Sequence, residues 1–293
     1  MLGSNCKVHY AGSEAGPPFV ISQQIADVRY SLFTVYHYIK NKKPGQSLKV
    51  DKDFFIPRIL DKTKKHVIMD SGLFTLMFGS EKGRKDRRFL EEWQDKQVRF
   101  VLENGLRCTC VEIDCQKILG VEEAWHFRKR MRRLLPNNRQ INVFHLEDGS
   151  KGLDRLIEFS DYIAVSVPEL RIHKSGTYKD DTVRLANYIK HRKPSIDIHL
   201  LGCTEQYILE RTRFCTSADS TSWSRGVRFG RIGRHHVDDI KSDIAKSIEP
   251  EVRRLQTAYG VSTTPKNIKY TTALAINASI DRSRYARWCG SQD

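Results

Sequence analysis

The sequence predicts an α/β protein, specifically a (β/α)8 barrel. Short apolar runs rich in β-branched residues alternate along the chain with longer segments of helical periodicity. The strand-like runs number eight, which is the strand count of this barrel. The length of 293 residues also suits one barrel domain. A doubly wound open sheet has the same alternation and is the competing architecture.

Eight segments have the short apolar pattern of strands that are buried on both faces. They are Lys7–Ala11, His66–Asp70, Thr109–Asp114, Ile141–Leu146, Tyr162–Val167, Asp197–Gly202, Phe214–Ala218 and Val227–Gly230. The last two lie too close together for a crossover helix between parallel strands. Either a helix is missing there or the eighth strand is misplaced, so we expect the barrel to be irregular at its last strands.

Helical periodicity occupies six segments between these strands. They are Gln23–Lys40, Arg88–Asn104, Val121–Leu134, Leu153–Phe159, Asp180–Lys190 and Thr204–Thr212. Gly105 and Pro136 supply stop signals after two of them. The tail is also helical in pattern, with a break at Gly260–Pro265. We therefore expect a barrel domain over residues 1–234 and a helical C-terminal extension over residues 235–293 that packs on it.

The charge balance favours a polyanionic partner. Fifty Lys and Arg residues stand against thirty-five Asp and Glu residues, which gives a net charge of +15. Such an excess attracts nucleic acid in a salt-dependent way, so nucleic acid is the leading partner. A basic protein without such a partner is the alternative.

The cysteine count and the lack of long apolar runs favour a cytoplasmic location. The chain has seven cysteines, an odd number, and no segment with the pattern of an export signal. No apolar run approaches the roughly 18 residues that a membrane-spanning helix needs. We expect a cytoplasmic protein with buried, unreactive thiols. A zinc site from Cys108, Cys110 and Cys115 with His145 is the less favoured alternative.

Polar residues and a glycine close six of the predicted strands. From the second to the seventh they are Asp70, Asp114, His145, Ser166, Gly202 and Asp219. Catalytic groups of α/β barrels are carried by the C-terminal ends of strands, and carboxylates are costly to bury there unless they are paired or used. An aspartate at such a position also caps helices, so each one taken alone has a structural reading.

Four segments resemble the tRNA-guanine transglycosylase family. Asp70-Ser71-Gly72-Leu73-Phe74 is similar to its Asp-Ser-Gly-Gly-Phe segment, and Glu112-Ile113-Asp114-Cys115 to its Phe-Asp-Glu-Cys segment. Leu200-Leu201-Gly202-Cys203-Thr204 is similar to Leu-Met-Gly-Val-Gly-Thr, and Ala218-Asp219-Ser220 falls where the family has its nucleophile. The string 218–223 and the opening Tyr10–Glu14 look most like the phage and bacterial branch that inserts 7-deazaguanine into DNA.

The resemblance implies exchange of guanine for a 7-deazaguanine, a queuosine-like DNA modification, with DNA and the free bases as partners and no cofactor or metal. A carboxylate nucleophile splits the exchange into two displacements at the sugar carbon, and Asp219 takes that role. Asp70 handles the proton of the base. Asp114 accepts hydrogen bonds from guanine. Ser71, His145, Ser166 and Gly202 are further candidates for contact with the base.

Basic residues follow Asp70 and Asp219 and are candidates to bind phosphates. They are Arg84, Lys85, Arg87 and Arg88 after the second strand, and Arg225, Arg228 and Arg231 after the seventh. Trp223, between two serines, is the candidate to stack on a base, whereas Phe229 fits better as a core residue. Taking a nucleotide out of a duplex would need such a surface.

Other functions remain open. The tRNA enzymes of the family have three close cysteines and a histidine downstream of the nucleophile, whereas only Cys289 follows Asp219 here, which favours DNA over tRNA. Exchange on tRNA is nevertheless the first alternative. A non-catalytic nucleic-acid-binding barrel and a base-excising glycosylase are the others.

Overall fold

The computed structural model describes residues 5–43, 45–50, 65–73, 76, 86–232, 235–237 and 242–293. Eight strands form a closed barrel in the order β1 to β8, which confirms the predicted fold class. They are β1 (Lys7–Ala11), β2 (Tyr30–Thr34), β3 (His66–Asp70), β4 (Thr109–Val111), β5 (Gln140–Phe144), β6 (Tyr162–Ser166), β7 (Asp197–Leu201) and β8 (Ser217–Ser220). The strand pairs whose register the structure describes within this barrel are all parallel.

Helices separate most of these strands. Those before β7 are α1 (Pro17–Ile25), α2 (Tyr36–Ile39), α3 (Arg87–Glu103), α4 (Gln116–Leu119), α5 (Val121–Leu134), α6 (Gly149–Phe159), α7 (Val167–His173) and α8 (Tyr178–Arg192). Those after it are α9 (Gln206–Arg211), α10 (Ser222–Arg228), α11 (Ser242–Ala258) and α12 (Pro265–Cys289). Two short strands, β9 (Arg231–Ile232) and β10 (His235–His236), pair antiparallel after α10.

The described residues fall into two compact units. One lies within residues 1–32, 52–67 and 204–293, and the other within residues 33–51 and 68–203. The core of each consists of buried apolar side chains from the strands and from the facing sides of the helices. In the described part of the chain, no helix has both the length and the apolar character needed to cross a membrane.

The predicted helix Gln23–Lys40 is wrong, because it hides the second strand. The helix α1 ends at Ile25, and Asp27 takes a left-handed conformation with φ 52°. The amide of Val28 then donates to Gln23 O at 2.9 Å, which closes the helix end as a glycine usually does. The chain is thereby released into β2. Without a glycine or proline at this turn, the apolar spacing alone resembles one long helix.

The predicted eighth strand, Val227–Gly230, is also wrong. Its first residues end helix α10, in which Trp223 and Val227 lie four residues apart and are both buried. The predicted strand Phe214–Ala218 starts too early, since β8 covers Ser217–Ser220. With β2 added and this strand removed, Asp70 belongs to the third strand and Asp219 to the eighth.

The helical tail is present as expected, with a break between α11 and α12. The hydroxyl of Ser22 in α1 donates to Thr271 O, and the hydroxyl of Tyr10 donates to Ala278 O, both in α12. Beyond α12, the side chain of Gln292 bonds the backbone of β1, accepting from Val8 N at 2.8 Å and donating to Cys6 O at 3.0 Å. The C-terminal tail is therefore hydrogen-bonded to the first strand and to the residue before it.

Candidate active site

The loop after β4 and the end of β5 hold a chain of hydrogen-bonded ionisable groups. His145 follows β5 directly, and its Nε2 lies 3.0 Å from Asp114 Oδ2. Its Nδ1 lies 2.8 Å from Glu169 Oε2, near the start of α7. His145 and Glu169 are buried, whereas Asp114 is partly exposed. An imidazolium that donates from both nitrogens fits this arrangement, because both neighbours are carboxylates.

The charges of these hydrogen-bonded side chains stabilise one another. Burial disfavours a charged imidazole, but the hydrogen bonds and negative charges of Asp114 and Glu169 outweigh it and raise the pKa of His145 to about 10. Burial also opposes ionisation of Glu169, but His145 and Lys117 outweigh it and lower the pKa of Glu169 to about 2. His145 is therefore charged at neutral pH. It donates to Oδ2 of Asp114 and so holds that carboxylate in place. The other oxygen, Oδ1 of Asp114, accepts no hydrogen bond among the described residues.

The hydrogen-bonded group of Asp114, His145 and Glu169 is better described as an ion-pair network than as a metal site. His145, Glu147 and Glu169 offer ligand atoms within 4.8 Å of one another. However, Lys117 Nζ lies 2.9 Å from Glu169 Oε1 and 3.9 Å from Glu147 Oε1. With the imidazolium, it already supplies the positive charge that a cation would bring. The seven cysteines are buried, and none of them forms a disulfide.

The His145 network predicts a pH-dependent stability. The unfolded pKa of histidine is about 6.5, and each pKa unit corresponds to about 1.4 kcal/mol. A raised folded pKa means that the stabilisation is complete below about pH 6.5 and is lost as the pH rises through about 10. We expect His145→Gln to lower the free energy of unfolding in urea more at pH 6 than at pH 10. The exposed His191 provides the control, His191→Gln, and an equal loss at both pH values would contradict the network.

A buried ion pair positions the segment that carries Asp114. Arg128 of α5 places its Nε 2.9 Å and 3.0 Å from the two carboxylate oxygens of Glu112, and both side chains are fully buried. Val143 N and Asn142 Nδ2 also donate to this carboxylate, and Arg128 Nη2 donates to Val143 O. Glu112 is thus fixed to β5 and α5 two residues before Asp114.

Asp70 is the last residue of β3 and opens a tight turn. Its Oδ2 accepts from Gly72 N at 2.8 Å, and its backbone oxygen accepts from Val35 N at 3.0 Å. Ser71 is buried, with its Oγ accepting from Leu73 N and its backbone oxygen accepting from Trp93 Nε1. These contacts hold the turn together and connect it to Trp93 of α3.

Gly72 is required in this turn for two separate reasons. Its φ of 75° is left-handed, and an added Cβ would lie 2.6 Å from Tyr36 Cβ and 2.8 Å from Thr34 Oγ1. Gly105 also has a left-handed φ, of 60°, but open space around it. We expect Gly105→Ala to cost about 1–2 kcal/mol, and Gly72→Ala to cost about 1–3 kcal/mol more because of the clash. Equal losses in chemical denaturation would show that Tyr36 moves aside freely.

Ser166 and Gly202 end neighbouring strands in a similar way. Ser166 is the last residue of β6, is buried and precedes α7. Gly202 follows β7 with φ 63°, and a Cβ there would lie 2.7 Å from Pro168 Cγ in α7. The glycine therefore allows the turn after β7 to approach α7, which gives it a structural role independent of any substrate.

Asp219 is the next-to-last residue of β8. Asp219 is 7% exposed. In the register of the sheet it is paired with His9 of β1. The chain then turns at Thr221 into α10. A carboxylate this deeply buried within a strand is costly unless the protein uses or pairs it.

The burial of Trp223 contradicts the expectation that it stacks on a base. Trp223 lies in α10, is 1% exposed and donates from Nε1 to Ala11 O at 2.8 Å. Its ring packs against Tyr10 and Phe19, and its backbone oxygen accepts from Asn277. Neighbours from β1, α1 and α12 cover it, which the two flanking serines do not reveal. Phe229, expected in the core, is instead 72% exposed.

The expected phosphate-binding residues have different surroundings. Arg84 and Lys85 lie outside the described residues. Arg87 and Arg88 begin α3 and form ion pairs with glutamates at 3.0–3.3 Å. Arg228 lies over the ring of Phe19, 5.3 Å from its centre. Arg225 and Arg231 are exposed and have no carboxylate partner in the described part of the chain, so they are the better candidates.

The structure adds Lys117, Glu147 and Glu169 to the candidates from the sequence. The sequence could have indicated Glu169, since it lies three residues after the end of the apolar strand β6. It could not have indicated Lys117, because the role of Lys117 depends on α4 lying beside α7, which no local pattern encodes.

Comparisons with known proteins identify no family for this chain. No protein-family model matches the sequence, and no curated protein matches it. A solved structure described as "QR15, an Aldolase" is 12% identical over 74% of this chain and 89% of that chain, with a TM-score of 0.45. A likeness at this level carries no argument about substrate or reaction. The protein is a (β/α)8 barrel, because its own strands form a closed barrel in the order β1 to β8.

Proposed function

We propose that this protein is a base-exchanging glycosyltransferase that replaces guanine in DNA with a 7-deazaguanine. The observation that carries the proposal is the position of three aspartates relative to their strands. Asp70 ends β3, Asp114 lies three residues beyond β4, and Asp219 is next to last in β8. Barrel enzymes place their catalytic groups at such strand ends. The order and spacing of the segments that resemble tRNA-guanine transglycosylases support the same assignment.

The proposed reaction has two displacements at the sugar carbon C1′. Asp219 attacks C1′, the bond from C1′ to the guanine nitrogen breaks, and its electron pair leaves with the base. Asp70 gives that base a proton. The incoming 7-deazaguanine then loses a proton to Asp70, and its nitrogen attacks C1′. The ester bond to Asp219 breaks, so that configuration is retained and both carboxyl groups return to their initial states.

Asp114 is the proposed base reader. Guanine presents two adjacent N–H donor groups, and an ionised carboxylate accepts them well. His145 is charged and holds Oδ2 of Asp114 at 3.0 Å, which orients the carboxylate. In this role His145 and Glu169 position Asp114 and do not themselves contact the base.

The test is incorporation of labelled base. The protein is incubated with a labelled 7-deazaguanine and with duplex DNA, single-stranded DNA or tRNA, and each polymer is then counted. We expect label in DNA and an equal release of guanine. Label in tRNA alone would support the tRNA reading, release of guanine without label would indicate a glycosylase, and binding without either would indicate a non-catalytic barrel. Each of these three results would overturn the proposal.

A further inference from the structure

The surface that follows β8 combines an exposed aromatic ring with two arginines that have no carboxylate partner among the residues described. Phe229 is 72% exposed, directly after α10. An open concavity of about 540 Å³ lies beside it, lined by Ser222, Arg225, Gly226, Phe229 and Arg231. The ring of Phe229 therefore borders this concavity together with the side chains of Arg225 and Arg231. Its position next to two arginines suggests a partner with both an apolar face and negative charge.

The cations on this surface are available to a ligand. Arg225 and Arg231 have no carboxylate partner among the described residues. The sequence has no Asp or Glu between Asp219 and Asp238, whereas Arg225, Arg228, Arg231 and Arg234 all lie in that interval. Many other arginines of the chain are already paired, as Arg87 is with Glu91 and Glu123. The local charge is therefore complementary to phosphates.

The surface is also held firmly. The buried Trp223 ties α10 to β1 and α12 through its hydrogen bonds to Ala11 and from Asn277. After Phe229 the chain turns at Gly230, which has φ 72°, and Val237 N donates back to Gly230 O at 2.7 Å. Gly226 has no side chain, and the position of a Cβ there would lie 3.1 Å from Arg231 O, so Arg231 folds back against α10. Because the backbone that carries Phe229 is already held in place, less backbone entropy is lost when a base binds there.

We propose that Phe229 is the base-stacking side chain of a single-stranded nucleic-acid contact, with Arg225 and Arg231 binding the adjacent phosphates. Every base offers an aromatic face, and stacking on one protein ring contributes about 1–3 kcal/mol per base. The inference rests on the proposed function only in taking DNA as the partner. Phe229 would hold an unpaired base beside the exchanged nucleotide.

The test compares DNA with and without bases. A fluorescent single-stranded oligonucleotide and an abasic strand of equal length are titrated with the protein, and dissociation constants are read from anisotropy. We expect Phe229→Ala to weaken binding of the oligonucleotide about 5- to 100-fold, with no change for the abasic strand. Phe229→Tyr should bind like the original protein. Leu102, exposed to 61% on α3, provides the control Leu102→Ala, for which we expect no change.

Several outcomes would overturn the inference. They are an unchanged affinity in Phe229→Ala, an equal loss for both strands, and displacement of the oligonucleotide by polyglutamate as readily as by unlabelled DNA. The binding assay is independent of base exchange. Base-dependent binding without exchange would overturn the proposed function alone, whereas exchange without any effect of Phe229 on binding would overturn this inference alone.

Discussion

Asp219→Asn is expected to abolish base exchange, with a rate loss of about 10⁴-fold or more. The amide has almost the shape of the carboxylate but cannot form the ester to C1′. The same change should remove the covalent adduct between protein and DNA that a denaturing gel detects when the incoming base is withheld. Because Asp219 lies within β8 and is nearly buried, the isosteric amide is preferred to alanine, which would leave a cavity.

A matched aspartate distinguishes chemistry from general damage to a strand. Asp197 is the first residue of β7, at the opposite end of a strand, and forms an ion pair with Arg139. Asp197→Asn should exchange bases at nearly the original rate. Undiminished exchange in Asp219→Asn would show that another group is the nucleophile. Loss of exchange in both variants with a lowered melting temperature would point to folding instead.

Arg128→Leu is expected to lower the free energy of unfolding by about 3–5 kcal/mol. The change leaves the Glu112 carboxylate in the interior without its cation, although Val143 N and Asn142 still donate to it. Burial already raises the pKa of Glu112, against the opposing effect of Arg128. The variant should therefore take up a proton on Glu112 and lose less stability at pH 5 than at pH 8 in urea denaturation.

Two further variants test this explanation. Combining Arg128→Leu with Glu112→Leu removes the unpaired charge of Glu112 and should recover part of the loss, since Asp148 Oδ1, 3.6 Å from Arg128 Nη1, still loses its cation. Arg133 is exposed on the same helix, and Arg133→Leu should change the free energy of unfolding by less than about 0.5 kcal/mol. A double variant no more stable than Arg128→Leu would show that the loss comes from Asp148 or from packing around Trp125, whose ring lies 4.9 Å from the guanidinium, and not from Glu112.

Local patterns predicted much of the fold because the barrel repeats one local motif. The run Val-Ile-Met between His66 and Asp70 is short, apolar and bounded by polar residues, and it forms β3 as expected. Helix α5 covers Val121–Leu134, the predicted range, because its apolar spacing and its preceding Gly120 agree. The errors arose where a local signal was missing, as at Asp27, whose left-handed turn has no glycine.

The candidate site was only partly predictable. Asp114 and His145 stood out as polar residues at the ends of apolar runs, but their mutual hydrogen bond depends on which strands are neighbours. Arg128 belongs to a basic run that looks like a solvated helix face, yet it is the one fully buried arginine among the described residues. A buried arginine requires a carboxylate far away in the sequence, which in this chain is Glu112, sixteen residues earlier.

By itself, the sequence determined the barrel class and the position of Asp70 and Asp219 at strand ends, because apolar runs and their boundaries are local properties. Only the tertiary structure decided that Trp223 is buried and Phe229 is exposed. A side chain's exposure depends on the elements that pack over it, here β1, α1 and α12, which lie up to about 200 residues away along the chain. Helical periodicity fixes which residues share a face, whereas tertiary packing fixes which face is covered.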